Sequence, residues 1–185
     1  RDTRAVEKAA LFARALSAFD AMPEIVRRVH EPDPASDLRG RVDIDGAETW
    51  GGRLLARLFG FPGSARDVPA DVVIEREGDG EVWIRRFGAS EFSSRLGVAP
   101  AGGLTERFGA LTFDLEAKAD AHGFSLEIRR ARLGELPLPR FLTPRIRAGA
   151  GVDERGHYSF DVTIVMPVVG RLVHYRGWLA EVGGA

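Results

Sequence analysis

The stretch GRLVHYRGWL, residues 170–179, brings two arginines, a histidine, a tyrosine and a tryptophan into ten positions. It is the densest cluster of reactive side chains in the chain. Histidine can act as a general base, and the planar fork of arginine can clamp an anion. At the two-residue repeat of a strand, Leu172, His174, Arg176 and Trp178 share one face, and Val173, Tyr175, Gly177 and Leu179 share the other. One arrangement turns His174 and Arg176 inward as base and anion clamp. The opposite one buries Val173, Tyr175 and Leu179 and leaves His174 and Arg176 in water beside a cross-strand carboxylate. The second avoids a desolvation penalty of roughly several kcal/mol, and is preferred on that ground. Gly177 suggests a bend or bulge that could re-aim either face.

A second cluster is EVWIRRFG, residues 81–88, where Val82, Ile84 and Arg86 alternate with Trp83, Arg85 and Phe87. Both faces carry apolar bulk, so the strand is expected to be covered on both sides, by a helix outside and a barrel interior within. Arg85 then lies among aromatic rings, either as a buried cation or with its stem along the rings and its head in water. In GELPLPRFLTPRIR, residues 134–147, three prolines forbid regular helix or central strand. The loop is nevertheless apolar at Leu136, Leu138, Phe141 and Leu142 and edged by Arg140, Arg145 and Arg147. Such a loop could cap a barrel mouth, dock a partner, dip into a lipid headgroup layer, or fold over the sheet as ordinary core.

The expected ligand-binding residues are therefore Trp83, Arg85, Leu138, Phe141, Tyr175 and Trp178. The alternative is a catalytic set of His174, Tyr175 and Arg176, joined by Arg85 or Arg86. No G-x-S-x-G elbow, Walker loop or H-E-x-x-H occurs. His30, Glu31 and Asp33 stand close together, but in a proline-flanked stretch where a metal site is remote. No metal or cofactor is expected.

These residues need a scaffold. In a chain of 185 residues, 44% are hydrophobic and 29% charged, which suits one globular domain with a sizeable core. The net charge of −1 gives no field that favours nucleic acid. All but two of the basic Lys and Arg residues are arginine, a bias that G- and C-rich coding would also produce. With no cysteine there are no disulfides or thiolate sites, in keeping with a reducing, cytoplasmic location. TIVMPVV is far too short to span a bilayer.

Phe12, Leu16 and Phe19 at helical spacing predict one helix across residues 5–22, and PEIVRRVH a second, with Ile25, Val26 and Val29 as its stripe. EPDPASD reads as a loop and GRVDIDG as a half-wet strand. WGGRLLARLFGFP is a third helix carrying Leu54, Leu55, Leu58 and Phe59. After Asp67 the repeat changes to two. Gly78-Asp79-Gly80 marks a hairpin, and SEFSSRL, ALTFDLEAKA, FSLEIRRARL and HYSFDVTIVM alternate in turn. Roughly eight to ten strands, mostly sequence neighbours, follow from this.

RLLARLFGFP, RDVPADVVIEREGDGEVWIRRFG, LTERFGALTFDL, LPLPRFLTPR and VVGRLVHYRGWL, in that order, resemble a bacterial family, domain of unknown function 4166, over about residues 23–180. The resemblance implies a module found alone or fused behind others, dehydrogenase-like ones among them, and brings no catalytic residues.

The expectation is an α+β, mainly β fold: a curved antiparallel meander forming a barrel or half-barrel with the N-terminal helices packed against it. Residues 1–185 form a single domain, with 1–22 a linker or extension and 23–182 the family-like part. The expected role is a non-catalytic binding or accessory module for an apolar or amphipathic small molecule, or for a fused or partner protein, with no nucleic acid and no transmembrane segment. An enzyme of unknown class is the rival, and a purely structural module the third reading. Whether the interior is filled or hollow stays open.

Overall fold

The computed structural model describes residues 10–33, 35–100 and 102–182. Alternation of apolar and polar side chains yields eleven strands: β1 (Ala35–Gly46), β2 (Ala65–Glu77), β3 (Gly80–Phe87), β4 (Ser90–Val98), β5 (Leu104–Phe108), β6 (Leu111–Asp120), β7 (Gly123–Leu133), β8 (Leu136–Pro137), β9 (Arg145–Val152), β10 (Tyr158–Met166) and β11 (Gly170–Glu181). All pairings are antiparallel. From β1 to β7 each strand pairs with the next; β9 then pairs with β7, and β11 returns to β1. Ten strands close into a barrel, and two-residue β8 hangs on the edge of β7. The closed form is what a long twisted meander adopts to bury its apolar face.

The hairpins β2–β3, β3–β4 and β5–β6 turn on two residues, with Gly78, Gly88 and Gly109 in the first loop position at φ of 63°, 59° and 56°. Only glycine takes that backbone angle without strain, and the resulting turn matches the twist of the strands it joins. Gly177 has another reason to be glycine. The β1–β11 register runs through it unbroken, so there is no bulge there. Instead a Cβ at Gly177 would collide with the Arg41 carbonyl of β1. The irregularity lies earlier, between Ile164 and Val165 of β10, where Leu172 is the extra residue on β11. That shift explains why Leu172 and Val173 are buried together although they are consecutive.

The helices are smaller than the apolar spacing suggests. α1 spans only Leu11–Ala15, and Leu16 is already extended (φ −114°, ψ 118°). A single 3₁₀ turn follows at Phe19–Ala21, then α2 at Glu24–Val29. The beginning of the expected helix, residues 5–9, lies outside the described residues. Phe12, Leu16, Phe19, Met22, Val26 and Val29 are all buried and plug one end of the barrel. Burying all six side chains at the mouth outweighs the helix propensity of so short a segment.

α3 (Trp50–Leu58) sits at the other end, after β1. Thr49 caps it: the hydroxyl accepts from Gly52 N–H at 3.0 Å and donates to the Val169 carbonyl at 2.7 Å. The helix buries Gly52 and Ala56 and leaves Trp50, Leu54 and Leu58 exposed. No described helix packs along the outer face of β3, so the expected helical cover there is absent; Val82 and Ile84 are half-buried among strand neighbours.

Candidate functional site

Strand parity aims Trp83, Arg85 and Phe87 of β3, Phe92, Ser94 and Leu96 of β4, and Glu106 of β5 into the barrel. Three of these form a chain of polar contacts in a mostly apolar interior. The Arg85 Nη1 donates to Ser94 Oγ at 3.0 Å, and Ser94 Oγ donates to Glu106 Oε1 at 2.7 Å. Arg85 Nη2 stands 3.5 Å from that carboxylate oxygen, and both charged side chains are only 11% exposed. The guanidinium also lies 4.8 Å from the Trp83 ring centre and 5.7 Å from that of Phe92. Charges this deep persist only when paired and hydrogen-bonded, and Arg85–Ser94–Glu106 meets both conditions with no net charge.

Beside this chain is a cavity of about 90 Å³. Phe12 closes it toward α1, and Phe108, Ile146 and Ile164 wall it toward α3. Tyr158 and Tyr175 line it with Arg85 and Glu106, and burial pushes the Tyr175 phenol up to about 12 and Tyr158 higher still. Phe108, Ile146 and Ile164 also bound a second space of about 20 Å³ beneath Phe59, Phe61 and Pro144. Phe61 packs edge-on against Phe92 and Phe108, 5.6 and 6.4 Å between ring centres. The interior is thus largely filled, with a residual apolar cavity stoppered by aromatic rings on the α3 side.

Behind Phe12, on the plugged side, His30 is fully buried. Its Nε2 is 3.1 Å from the Tyr158 hydroxyl, its ring centre is 4.0 Å from that of Phe12, and its Nδ1 has no partner among the described residues. Burial without a carboxylate drops its pKa to about 3, so the imidazole is neutral. Glu81 is its neighbour across Trp83, accepting from the indole N–H at 2.9 Å. Desolvation raises the Glu81 carboxyl to about 7, against smaller opposing effects of the Trp83 hydrogen bond, Arg76 and the Leu11 backbone.

Of the six residues expected to bind ligand, Trp83, Arg85 and Tyr175 meet at the cavity. Leu138 packs half-buried against the core and Phe141 is exposed at the α3 end. Trp178 lies on the outer wall, stacked on His157 at 4.5 Å. His174 and Tyr175 point to opposite sides of the wall. His174 is outside, 3.0 Å from Asp161 and 3.4 Å from Asp45, and Arg176 is exposed. Arg86 is also outside, paired with Glu91 at 2.6 Å. The set His174, Tyr175 and Arg176 is therefore not gathered in one pocket, because consecutive strand residues alternate faces.

Sequence reasoning passed over Ser94, Glu106, Glu81 and Tyr158 as site residues, and weighed His30 only as a remote metal ligand beside Glu31 and Asp33. A signal was present for two of them: Ser94 falls between Phe92 and Leu96, and Glu106 between Leu104 and Phe108, each on the inward parity of an apolar strand face. His30 gave none, standing in a loop between Val29 and Pro32. Glu31 and Asp33 are exposed while His30 is inside, and no cluster of three or more His, Cys, Asp or Glu side chains forms a metal site among the described residues. Nor is any described helix long and apolar enough to cross a membrane.

A search of curated proteins finds none that matches. The family comparison is positive and covers most of the chain, from the residue before Pro23 to the last buried leucine of β11. With residues 22–179 matching the family model, the chain belongs to the family described as Domain of unknown function (DUF4166).

Proposed function

We propose that the barrel is a binding module for a small amphipathic molecule whose apolar body enters the cavity and whose polar end meets Arg85, Ser94, Glu106 and Tyr175. The observation that carries this reading is the placement of Arg85 and Glu106, the two ends of one internally neutral polar chain, beside Tyr158 and Tyr175 on the wall of a mostly apolar cavity. Ligand sites have that composition: mostly apolar lining and a few convergent polar groups. The chemistry narrows the ligand. A free carboxylate or amine would leave an uncompensated charge beside the neutral Arg85–Glu106 pair. An uncharged hydroxyl or N–H amide can accept from Arg85 or Tyr175 and donate to Glu106, and a carbonyl can accept from either donor. Size narrows it too. A cavity of about 90 Å³ is smaller than the ~150 Å³ apolar cavity that admits benzene, so a longer chain requires the Phe59 and Phe61 side chains to swing aside.

Trp83 supplies the readout. In a Trp50→Phe/Trp178→Phe protein, the fluorescence of Trp83 is expected to change saturably with hexanol or a short amide and far less with the matching carboxylate. Native mass spectrometry after incubation with a lipid extract should show bound uncharged amphiphiles. An unchanged Trp83 signal together with an empty protein would refute the proposal.

A further inference from the structure

Among the described residues, the six most exposed large apolar side chains are Trp50, Leu54, Leu58, Leu136, Phe141 and Val168, between 64% and 78% accessible. They come from three separate segments, yet all belong to one end of the barrel. Thr49, at the start of α3, donates to the Val169 carbonyl in the β10–β11 turn. At the other end of α3, Phe59 and Phe61 share a pocket with Pro144, which ends the proline-rich loop. Trp50, Leu54 and Leu58 recur at four-residue spacing along the solvent side of α3. Such a stripe ordinarily faces a core. The charges beside it are mostly basic: the acids at its edge are Glu48, paired with Arg171 at 2.7 Å, and Glu135 beside Leu136. α3 contains Arg53 and Arg57 and no acid, and residues 138–147 contain Arg140, Arg145 and Arg147 and no acid. None of these five arginines forms an ion pair with a described residue, whereas other arginines along the outer wall, including Arg39, Arg41, Arg66, Arg86 and Arg95, are paired.

We propose that this end of the barrel docks onto the surface of an anionic phospholipid bilayer. Tryptophan and leucine on projecting segments sink to the level of the acyl boundary while adjacent arginines reach phosphate oxygens. Each basic side chain near an anionic leaflet adds attraction that salt screens. A protein partner would ask for a concave or flat apolar surface with pairable charges of both signs; here the bulk projects from three elements, and five arginines without an ion pair to a described residue outnumber Glu135 and the already paired Glu48. The same end carries the aromatic stopper of the cavity, so docking would bring Phe59, Phe61 and Phe108 against the lipid. The docking surface does not depend on what the cavity holds.

Co-sedimentation with vesicles tests it. The protein should bind phosphatidylcholine–phosphatidylserine vesicles, bind pure phosphatidylcholine vesicles far less, and be released in part by high salt. Leu54→Ser/Leu58→Ser should lower the partition about tenfold or more. Arg53→Ser/Arg57→Ser should do so on the phosphatidylserine vesicles only. All four positions are exposed, so the unfolding midpoint should stay near that of the parent. The double variant Arg85→Met/Glu106→Leu should dock normally, which separates this result from failure of the cavity reading. Equal binding to both vesicle types, no binding to either, or variants indistinguishable from the parent would overturn the proposal. So would a dimer in sedimentation velocity that Leu54→Ser/Leu58→Ser converts to monomer, since the face would then belong to a second copy.

Discussion

The two ends of the barrel treat the same kind of side chain in opposite ways. At the α1–α2 end Phe12, Val26 and Val29 are sealed inside and His30 is stripped of water; at the α3 end Trp50, Leu54, Leu58 and Phe141 stand in it. Composition does not separate the two regions, since each combines apolar bulk with arginine. What differs is whether the apolar stripe has a surface to cover. The N-terminal segment gives up helical regularity to fill a mouth. α3 keeps its helix, capped by Thr49, and covers little. The first arrangement serves stability; the second leaves an apolar surface that no described residue covers.

The contrast can be broken most directly by the same substitution at each end. Phe12→Ala removes a ring that is fully buried against His30, Trp83 and Phe124, and should cost about 3–5 kcal/mol in denaturant unfolding. Phe141→Ala, at 65% exposure, should stay within about 0.5 kcal/mol. Comparable losses would mean that the α3 end is packed after all.

The pair between the two ends comes next. Removing one partner, by Arg85→Met or Glu106→Leu, strands a buried charge and should destabilise by about 3–5 kcal/mol. The double variant should recover most of that loss, because an apolar pair of similar volume needs no compensation. Additive losses would show that the two side chains do not act as a unit.

The smallest effect is in pH dependence at the plugged end. Folded His30 titrates near 3 against 6.5 when unfolded, so as pH falls below 6.5 the unfolded chain gains a proton and stability declines. Folded Glu81 titrates near 7 against 4.5, so the folded chain keeps a proton that the unfolded one loses, and stability declines as pH rises from 4.5 to 7. Between 4.5 and 6.5 the two slopes oppose and nearly cancel. Glu81→Gln should uncover the His30 slope, a loss of about 3 kcal/mol on acidification across that window, and should make the protein more stable than the parent at pH 8. Parallel stability profiles for parent and variant would contradict this account of the two burials.

The barrel is legible in the sequence wherever alternation is strong, as in β2–β4, β6, β7, β10 and β11. It is faint in β5, where LTERF places Glu106 at an inward position, and in β9, where RIRAGAGV has small residues in place of apolar mass. The plug is visible as apolar spacing at Phe12, Leu16 and Phe19, but its broken shape is set by a mouth that only tertiary structure creates. The site is half legible for the same reason. Parity puts Trp83, Arg85 and Phe87 on one face of their strand and favours Tyr175 inward, whereas Glu106 becomes a partner of Arg85 through Ser94 only once three strands lie side by side.

The β1–β11 seam pairs Leu38 with Glu181 and Gly46 with Val173, joining segments from near the two extremes of the chain. During synthesis from the N-terminus, the greasy concave side of β2 through β10 must therefore wait until β11 has been made before it is roofed over. Closure through contacts so distant in sequence is slow, and the half-made trough meanwhile offers sticky rims to its neighbours, which makes chaperone assistance the natural companion of this architecture in a crowded cell.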